Sequence, residues 1–279
     1  MSQERANDVA LITGASSGIG ATYADRLARR GHDLILVARD EQRMDDLAAR
    51  LTLDTGARVD VLPADLTVRP DLLRVERRLR EDDRITTLVN NAGIAASGPF
   101  VGADLDQLEK VVVLNAVVVM RLAGAALPGF IARGRGTVIN IGSVTAFTPE
   151  TFNGTYSATK AFVLNFTQAL HAEVSERGVR VQAVLPGATR TEIWERSGFD
   201  LSRLPQEIFM AVDEMVDAAL AGLDQGEVIT IPSLPDAADW EAFTAARLAL
   251  RPNLSRNHPA ARYQVVERPG GVSVHAPTP

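Results

Sequence analysis

A doubly wound α/β fold, one parallel sheet with helices on both faces, is what this sequence predicts, and three observations carry the prediction. Apolar runs alternate with segments of helical periodicity along most of the 279 residues. The runs are continuously apolar, as in strands buried on both faces, rather than alternating in and out. A glycine-rich turn, Thr13-Gly14-Ala15-Ser16-Ser17-Gly18-Ile19-Gly20, follows the first run and opens the first helical segment, which is the strand-turn-helix unit from which such folds are built.

Each element follows in order. Strands are expected near 8–13, 33–38, 58–63, 86–90, 137–141, 180–185 and 228–231, where Val, Ile, Leu and Thr dominate. Helices are expected near 20–30, 40–53, 70–81, 105–132, 156–177 and 212–223, where apolar residues recur at three- and four-residue spacing. The expected organisation is one domain over 1–266, with a loop over the substrate pocket at about 188–215 and a helical C-terminal extension at about 233–266. A Pro- and Gly-rich tail, 267–279, is expected to be mobile.

Composition excludes several classes. The chain is 46% hydrophobic and 23% charged, which fits a sizeable core. It has no cysteine, so disulfides, thiolate metal sites and cysteine nucleophiles are out. The net charge of −6 is spread along helices, which argues against a nucleic-acid partner. Met1 to Asp8 lacks an apolar core, so a cytoplasmic location is expected. The apolar run from Val111 to Ile131 contains Asn115, Arg121 and Pro128 and reads as a buried helix, not a membrane span. His32, His171, His258 and His275 show no ligand spacing, and no metal is expected.

Two motifs point to chemistry. In the turn, glycines allow the backbone to approach a pyrophosphate whose charge meets the N–H groups of the next helix. Its spacing is Gly-x-x-x-Gly-x-Gly, not the ordinary Gly-x-Gly-x-x-Gly. Tyr156 and Lys160, four apart, share a helix face. Bringing a phenol from ~10 to neutrality requires about 4 kcal/mol. A lysine ammonium at about 5 Å supplies roughly 3 kcal/mol of that. Alone, either motif is equally a tight turn without a ligand or a surface Tyr and Lys.

Together with Asp65-Leu66, Asn90-Asn91-Ala92-Gly93, Asn115, Ser143 and Pro186-Gly187, in this order over roughly 8–231, these residues resemble the short-chain dehydrogenase/reductase family of the single-domain, Tyr-x-x-x-Lys type. The resemblance implies a Rossmann-like fold and an oxidoreductase that interconverts a carbonyl and an alcohol by hydride transfer. It implies catalytic roles for Ser143, which bonds the substrate oxygen, and Tyr156, the general acid/base. Lys160 would lower the phenol pKa and bond the nicotinamide ribose, and Asn115 would hold a water linking Lys160 to solvent. It assigns the cofactor to Gly14, Ser16, Ser17, Gly18, Ile19 and Gly20, to Asp65 and Leu66 at the adenine, to Asn91, Ala92 and Gly93, and to Tyr156 and Lys160. Pro186, Gly187, Thr189 and Thr191 complete the set. Thr189 stands where the family usually has a branched apolar residue, so its backbone, with the Thr191 hydroxyl, is expected to meet the carboxamide.

Arg39, after the second strand, favours NADP(H) over NAD(H), because a guanidinium suits a 2′-phosphate where an acid would grip a 2′-hydroxyl. The adjacent Asp40 would oppose that phosphate if it turned inward. Ile193, Trp194, Phe199, Leu201, Leu204, Phe209 and Met210 suggest an apolar ketone or aldehyde, a steroid-like ring system or a 3-oxoacyl thioester. Helix-core packing explains the same residues equally. The rival readings are an idle dinucleotide-binding sensor or scaffold, and an epimerase or dehydratase, for which the chain is short. Trp240, Phe243, Ala246 and Leu250 form a helical stripe that packs either on the same subunit or on a neighbour in a homodimer or homotetramer.

Overall fold

Side chains alternate between the two faces of each strand, and here both faces are buried. In β1 (Val9–Thr13), Val9 and Leu11 join one apolar cluster while Ala10 and Ile12 join the other. The same split runs through β2 (Asp33–Ala38), with Ile35 and Val37 on one side and Leu34 and Leu36 on the other. The computed structural model describes residues 8–192 and 205–263. The chain divides into two compact units, Met1–Ser233 and Leu234–Pro279.

The first unit continues with β3 (Val59–Pro63), β4 (Ile85–Asn90), β5 (Gly136–Ile141), β6 (Val179–Val184) and the short β7 (Ile229–Thr230). All neighbours pair in parallel, in the order β3-β2-β1-β4-β5-β6-β7. One face is covered by α1 (Gly18–Arg29), α2 (Glu41–Thr55) and α7 (Val212–Asp224), through Tyr23, Leu27, Met44, Leu51 and Leu220. The other is covered by α3 (Arg69–Glu81), α5 (Val118–Ala132) and α6 (Gly154–Val174), through Val75, Leu122, Phe130 and Leu170. The chain reverses direction of growth between β1 and β4, and in such sheets ligands sit outside the carboxyl ends of the strands at that switch.

The helix expected at 105–132 is not one regular helix. It runs as α4 (Leu105–Val112), a π segment Val113–Val117 and α5. The extra residue of a π turn is often found at functional sites, and Asn115 sits inside this one. An 18-residue window of this 28-residue path reaches mean hydropathy 2.0, long and apolar enough by length and composition to cross a bilayer. Half of that window is buried in the structure, and Arg121 on the path pairs with the buried Glu76 of α3. It is a core helix.

Two expected ranges shift. The last strand keeps only Ile229–Thr230, and α6 starts at Gly154, two residues before Tyr156, because Asn153 caps it there. Of the expected substrate loop, Ile193, Trp194, Phe199, Leu201 and Leu204 lie outside the described residues, as does the tail 267–279. Phe209 and Met210 are described, and Met210 pairs with Thr189 in an isolated parallel bridge.

The second unit holds α8 (Ala237–Ala249), capped by Asp236, whose carboxylate accepts from Ala238 N at 2.8 Å. Trp240 and Phe243 stack within it, ring centroids 5.5 Å apart, and none of its residues is buried.

Candidate active site

The glycine turn is built by contact with the end of β4. Asn91 donates through Nδ2 to the carbonyls of Thr13 and Gly14, at 2.9 and 3.2 Å. The amides of Asn91 and Ala92 both donate to Thr13 Oγ1 at 3.0 Å. Gly14 has φ +66°, which favours glycine, and a Cβ on Gly20 would stand 2.3 Å from the Gly14 carbonyl. The helix can approach the turn only because that position is bare. A Cβ on Gly18 would meet Thr191 Cγ2 at 3.3 Å, so the residues after β6 reach across to this turn. Ser17 caps α1 with extended backbone but no side-chain bond, and no acidic residue stands in the first turn. Helix N–H groups, a positive dipole end and glycine clearance are what a dinucleotide pyrophosphate requires, so these residues fit such a group. Ile19 packs into the core beneath, anchoring the turn from below.

At the neighbouring strand ends, Arg39 is exposed after β2. Asp40 does not turn inward. It caps α2, accepting from the Arg43 amide at 3.1 Å, and faces the Arg43 guanidinium at 3.5 Å. Arg43 also holds Glu192 at 2.9 Å. Asp65 accepts from the Thr67 amide at 2.9 Å and its hydroxyl at 2.6 Å. Burial works against its charge, but those bonds with the nearby Arg39 and Lys110 hold the carboxyl below its usual range. Leu66 is core.

Ser143 follows β5, 9% exposed, and its Oγ accepts from the Thr145 amide at 3.2 Å. Its O–H remains available as a donor. Tyr156 and Lys160 lie on α6, and the Lys160 Nζ stands 5.5 Å from the Tyr156 ring centroid while donating to the Ile141 carbonyl at 3.1 Å. Burial pushes the phenol up to about 12, against the pull of a hydrogen bond with Ser143. Burial alone brings the lysine down to about 8. The expectation that Lys160 nearly suffices to acidify the phenol therefore fails. Both groups lose more hydration than the pair regains, and the ammonium faces the ring and a carbonyl.

Asn115 is 2% exposed. Its Oδ1 accepts from Ile94 N at 3.0 Å, and its Nδ2 donates to Ile94 O at 2.9 Å and to Thr159 Oγ1 at 3.3 Å. Both amide protons are committed, so a water bound through this side chain would have only Oδ1 to use. Gly93 passes directly beneath, where a Cβ would come within 3.1 Å of that oxygen. After β6, the Pro186 carbonyl accepts from Val144 N at 3.0 Å, tying its turn to Ser143's. Thr189 folds its hydroxyl onto the Gly187 carbonyl at 3.2 Å, leaving Thr191 beside Gly18.

Three supporting residues receive no role from the sequence alone. Thr13 bridges β1 to the amides after β4. Thr159 receives Asn115 and donates to Tyr156 O at 2.7 Å. Asn153 caps α6. Only Asn153 carried a signal, an Asn just ahead of an apolar-periodic run.

Comparison with known proteins addresses the family and the fold. The model of the short chain dehydrogenase family matches residues 8–200. A short-chain dehydrogenase from Sphingobium yanoikuyae, solved in complex with NADPH, is 54% identical with a TM-score of 0.89, covering 91% of this chain and 99% of its own. A bulky-bulky ketone specific alcohol dehydrogenase from Comamonas testosteroni is 48% identical, TM-score 0.85, covering 92% and 99%. A very-long-chain 3-oxoacyl-CoA reductase from Anas platyrhynchos is 37% identical over 188 residues, which span 66% of this chain and 60% of that reductase. A parallel seven-stranded sheet, a glycine turn at its switch point and a Tyr-Lys pair beside a strand-end serine are thus joined to a family match over most of the first unit, and the chain belongs to the short-chain dehydrogenase/reductase family.

Proposed function

We propose that the protein is an NADP(H)-dependent oxidoreductase interconverting a bulky apolar ketone or aldehyde and its alcohol. The observation that carries this is the half-buried Tyr156 beside the strand-end Ser143, with the Lys160 Nζ 5.5 Å from its ring centroid. The cofactor, held by the glycine turn, Arg39, the Asp65 and Asn91 strand ends and the turn from Pro186 to Thr191, supplies a hydride when bound. The chain supplies the proton. With its pKa raised to about 12, Tyr156 carries that proton at neutral pH and can give it to the oxygen of the reduced carbonyl. Ser143, whose Oγ accepts from Thr145 N, keeps its O–H free to donate to the same oxygen. Lys160, cationic below about 8, faces the phenolate left behind.

NADP(H) preference is supported by exposed Arg39 and by Asp40 turned into its own helix. The substrate class is supported by the bulky-ketone enzyme at 48% identity. A 3-oxoacyl thioester is the second reading, favoured by the Anas platyrhynchos relative. Self-association as a homodimer or homotetramer is supported by α8, which presents Phe243 half exposed. The test is nicotinamide absorbance with NADPH or NADH and a panel of aryl ketones, aldehydes and a 3-oxoacyl thioester. The proposal expects turnover of a bulky ketone, faster with NADPH, and its loss in Tyr156→Phe. No turnover, or normal rates in Tyr156→Phe, would sink it.

A further inference from the structure

The start of the helix carrying Tyr156 is fixed by one buried side chain, Asn153, which is 5% exposed. Its Oδ1 accepts from Thr155 N at 3.0 Å and from Tyr156 N at 3.4 Å, so part of the cap is the amide of Tyr156 itself. Its Nδ2 donates the other way, to the carbonyl of Gly98 at 3.0 Å. Gly98, at φ +77°, lies in the loop that joins β4 to α4. Nearer its start the same loop is held by Asn115, which engages both backbone groups of Ile94. Two buried asparagines therefore pin this loop, one from the π segment and one from the cap of α6. Just beyond Gly98 the loop presents Phe100 and Val101, 58% and 87% exposed. Large apolar side chains left in water on a loop tied to a reactive helix suit contact with an apolar ligand.

We propose that Asn153 is a positioning residue with two tasks: its oxygen places the Tyr156 turn, and its amide nitrogen fastens the Phe100-bearing loop to that turn. The loop and the phenol are then set as one unit, and the loop's apolar side chains select for large carbonyl substrates. This rests on the reading of Tyr156 as proton donor.

Two substitutions separate the bonds. Asn153→Ser keeps an oxygen that caps helix N–H groups but is too short to reach Gly98, whereas Asn153→Ala removes both. Hydrogen exchange of the full chain, read by mass spectrometry, reports placement without turnover. In the serine variant, exchange across 95–102 should quicken about tenfold while Thr155 and Tyr156 stay near wild type; alanine should quicken both. Kinetically, the serine variant should raise KM for a bulky aryl ketone about fivefold with kcat nearly unchanged and a small aldehyde unaffected. The alanine variant should also lower kcat about tenfold, a loss the serine rescues. Serine and alanine variants that behave alike would make Asn153 a plain helix cap and overturn the proposal alone. The expected exchange pattern in a wild type without turnover would overturn the proton-donor reading and the positioning role with it.

Discussion

Lys160 donates to the Ile141 carbonyl at 3.1 Å while standing 5.5 Å from the centre of the Tyr156 ring, so its charge is anchored to the strand end and only faces the phenol. The two groups are shifted apart by burial, the lysine to about 8 and the tyrosine to about 12. That ordering dictates an asymmetric pH response.

Reduction needs the phenol protonated and the ammonium charged, a state that dominates below about 8. Its kcat/KM should be level from pH 6 to that point and then fall about tenfold per pH unit. Oxidation needs the state with one proton fewer, so its rate should rise to about 8 and then level, since the pair loses its next proton near 12. Profiles in both directions on one substrate and product test this. A reduction rate still level at pH 10 would show that the lysine charge is not required.

The same burial makes Lys160 a cost to folding. Its folded pKa lies below the unfolded value of about 10.4, so the unfolded chain binds the extra proton between them and stability rises with pH across that window. Lys160→Met should therefore raise Tm at pH 7, with the advantage narrowing by pH 10. Thermal scans of both proteins at the two pH values check it, and equal Tm values at pH 7 would count against a costly buried ammonium.

Arg39 and Arg43 should act differently on cofactor choice. Arg39 would grip the 2′-phosphate, worth about 1.5–3 kcal/mol as a charged hydrogen bond, so Arg39→Asp should swing the NADPH/NADH ratio of kcat/KM by about tenfold or more. Arg43 neutralises Asp40, and Arg43→Ala should weaken NADPH selectively by unmasking that carboxylate. An unchanged ratio in both variants would place the phosphate elsewhere.

Gly20 and Gly124 are both helical glycines with opposite expectations. A Cβ on Gly20 meets the Gly14 carbonyl and comes 2.6 Å from Asn91 Nδ2, whereas one on Gly124 meets nothing within 4 Å. Gly20→Ala should push α1 off the turn, lowering Tm and weakening NADPH, read by fluorescence titration, about tenfold or more. Gly124→Ala, at an exposed position on α5, should stabilise by about 0.5–1 kcal/mol.

What the sequence made legible was whatever rests on local pattern. Val9 to Thr13 read as a buried strand because both faces of the sheet are covered, and Gly14 to Gly20 read as a cradle because only glycine tolerates those contacts. The π turn at Asn115 was not legible, since what its side chain meets is tertiary: Ile94 O and Thr159 Oγ1 take its two amide protons. Asp40 posed a sign problem that depended on side-chain direction, and its Arg43 partner lies one helical turn on, visible only once the cap forms. The failure of Lys160 to acidify Tyr156 has the same origin. Spacing gives their proximity, but the desolvation that outweighs it comes from packing against distant strands.

The C-terminal stripe remains to be covered. Packing of Trp240, Phe243, Ala246 and Leu250 on the same subunit is the alternative; no residue of α8 is buried within the described chain, and Leu250 is 57% exposed. Apolar area costs about 25 cal/mol per Å² left in water, so such a stripe favours a partner, and a second copy of this chain is the proposed one. The stack of Trp240 on Phe243 pre-orders the surface, which lowers the entropy lost on docking. Trp240→Glu should place a charge in that contact and dissociate the assembly while leaving the first unit folded. Light scattering of wild type and variant, with circular dichroism as the folding control, measures it. A smaller mass for a folded Trp240→Glu supports the self-association reading, and a wild type that is monomeric and fully active disposes of it.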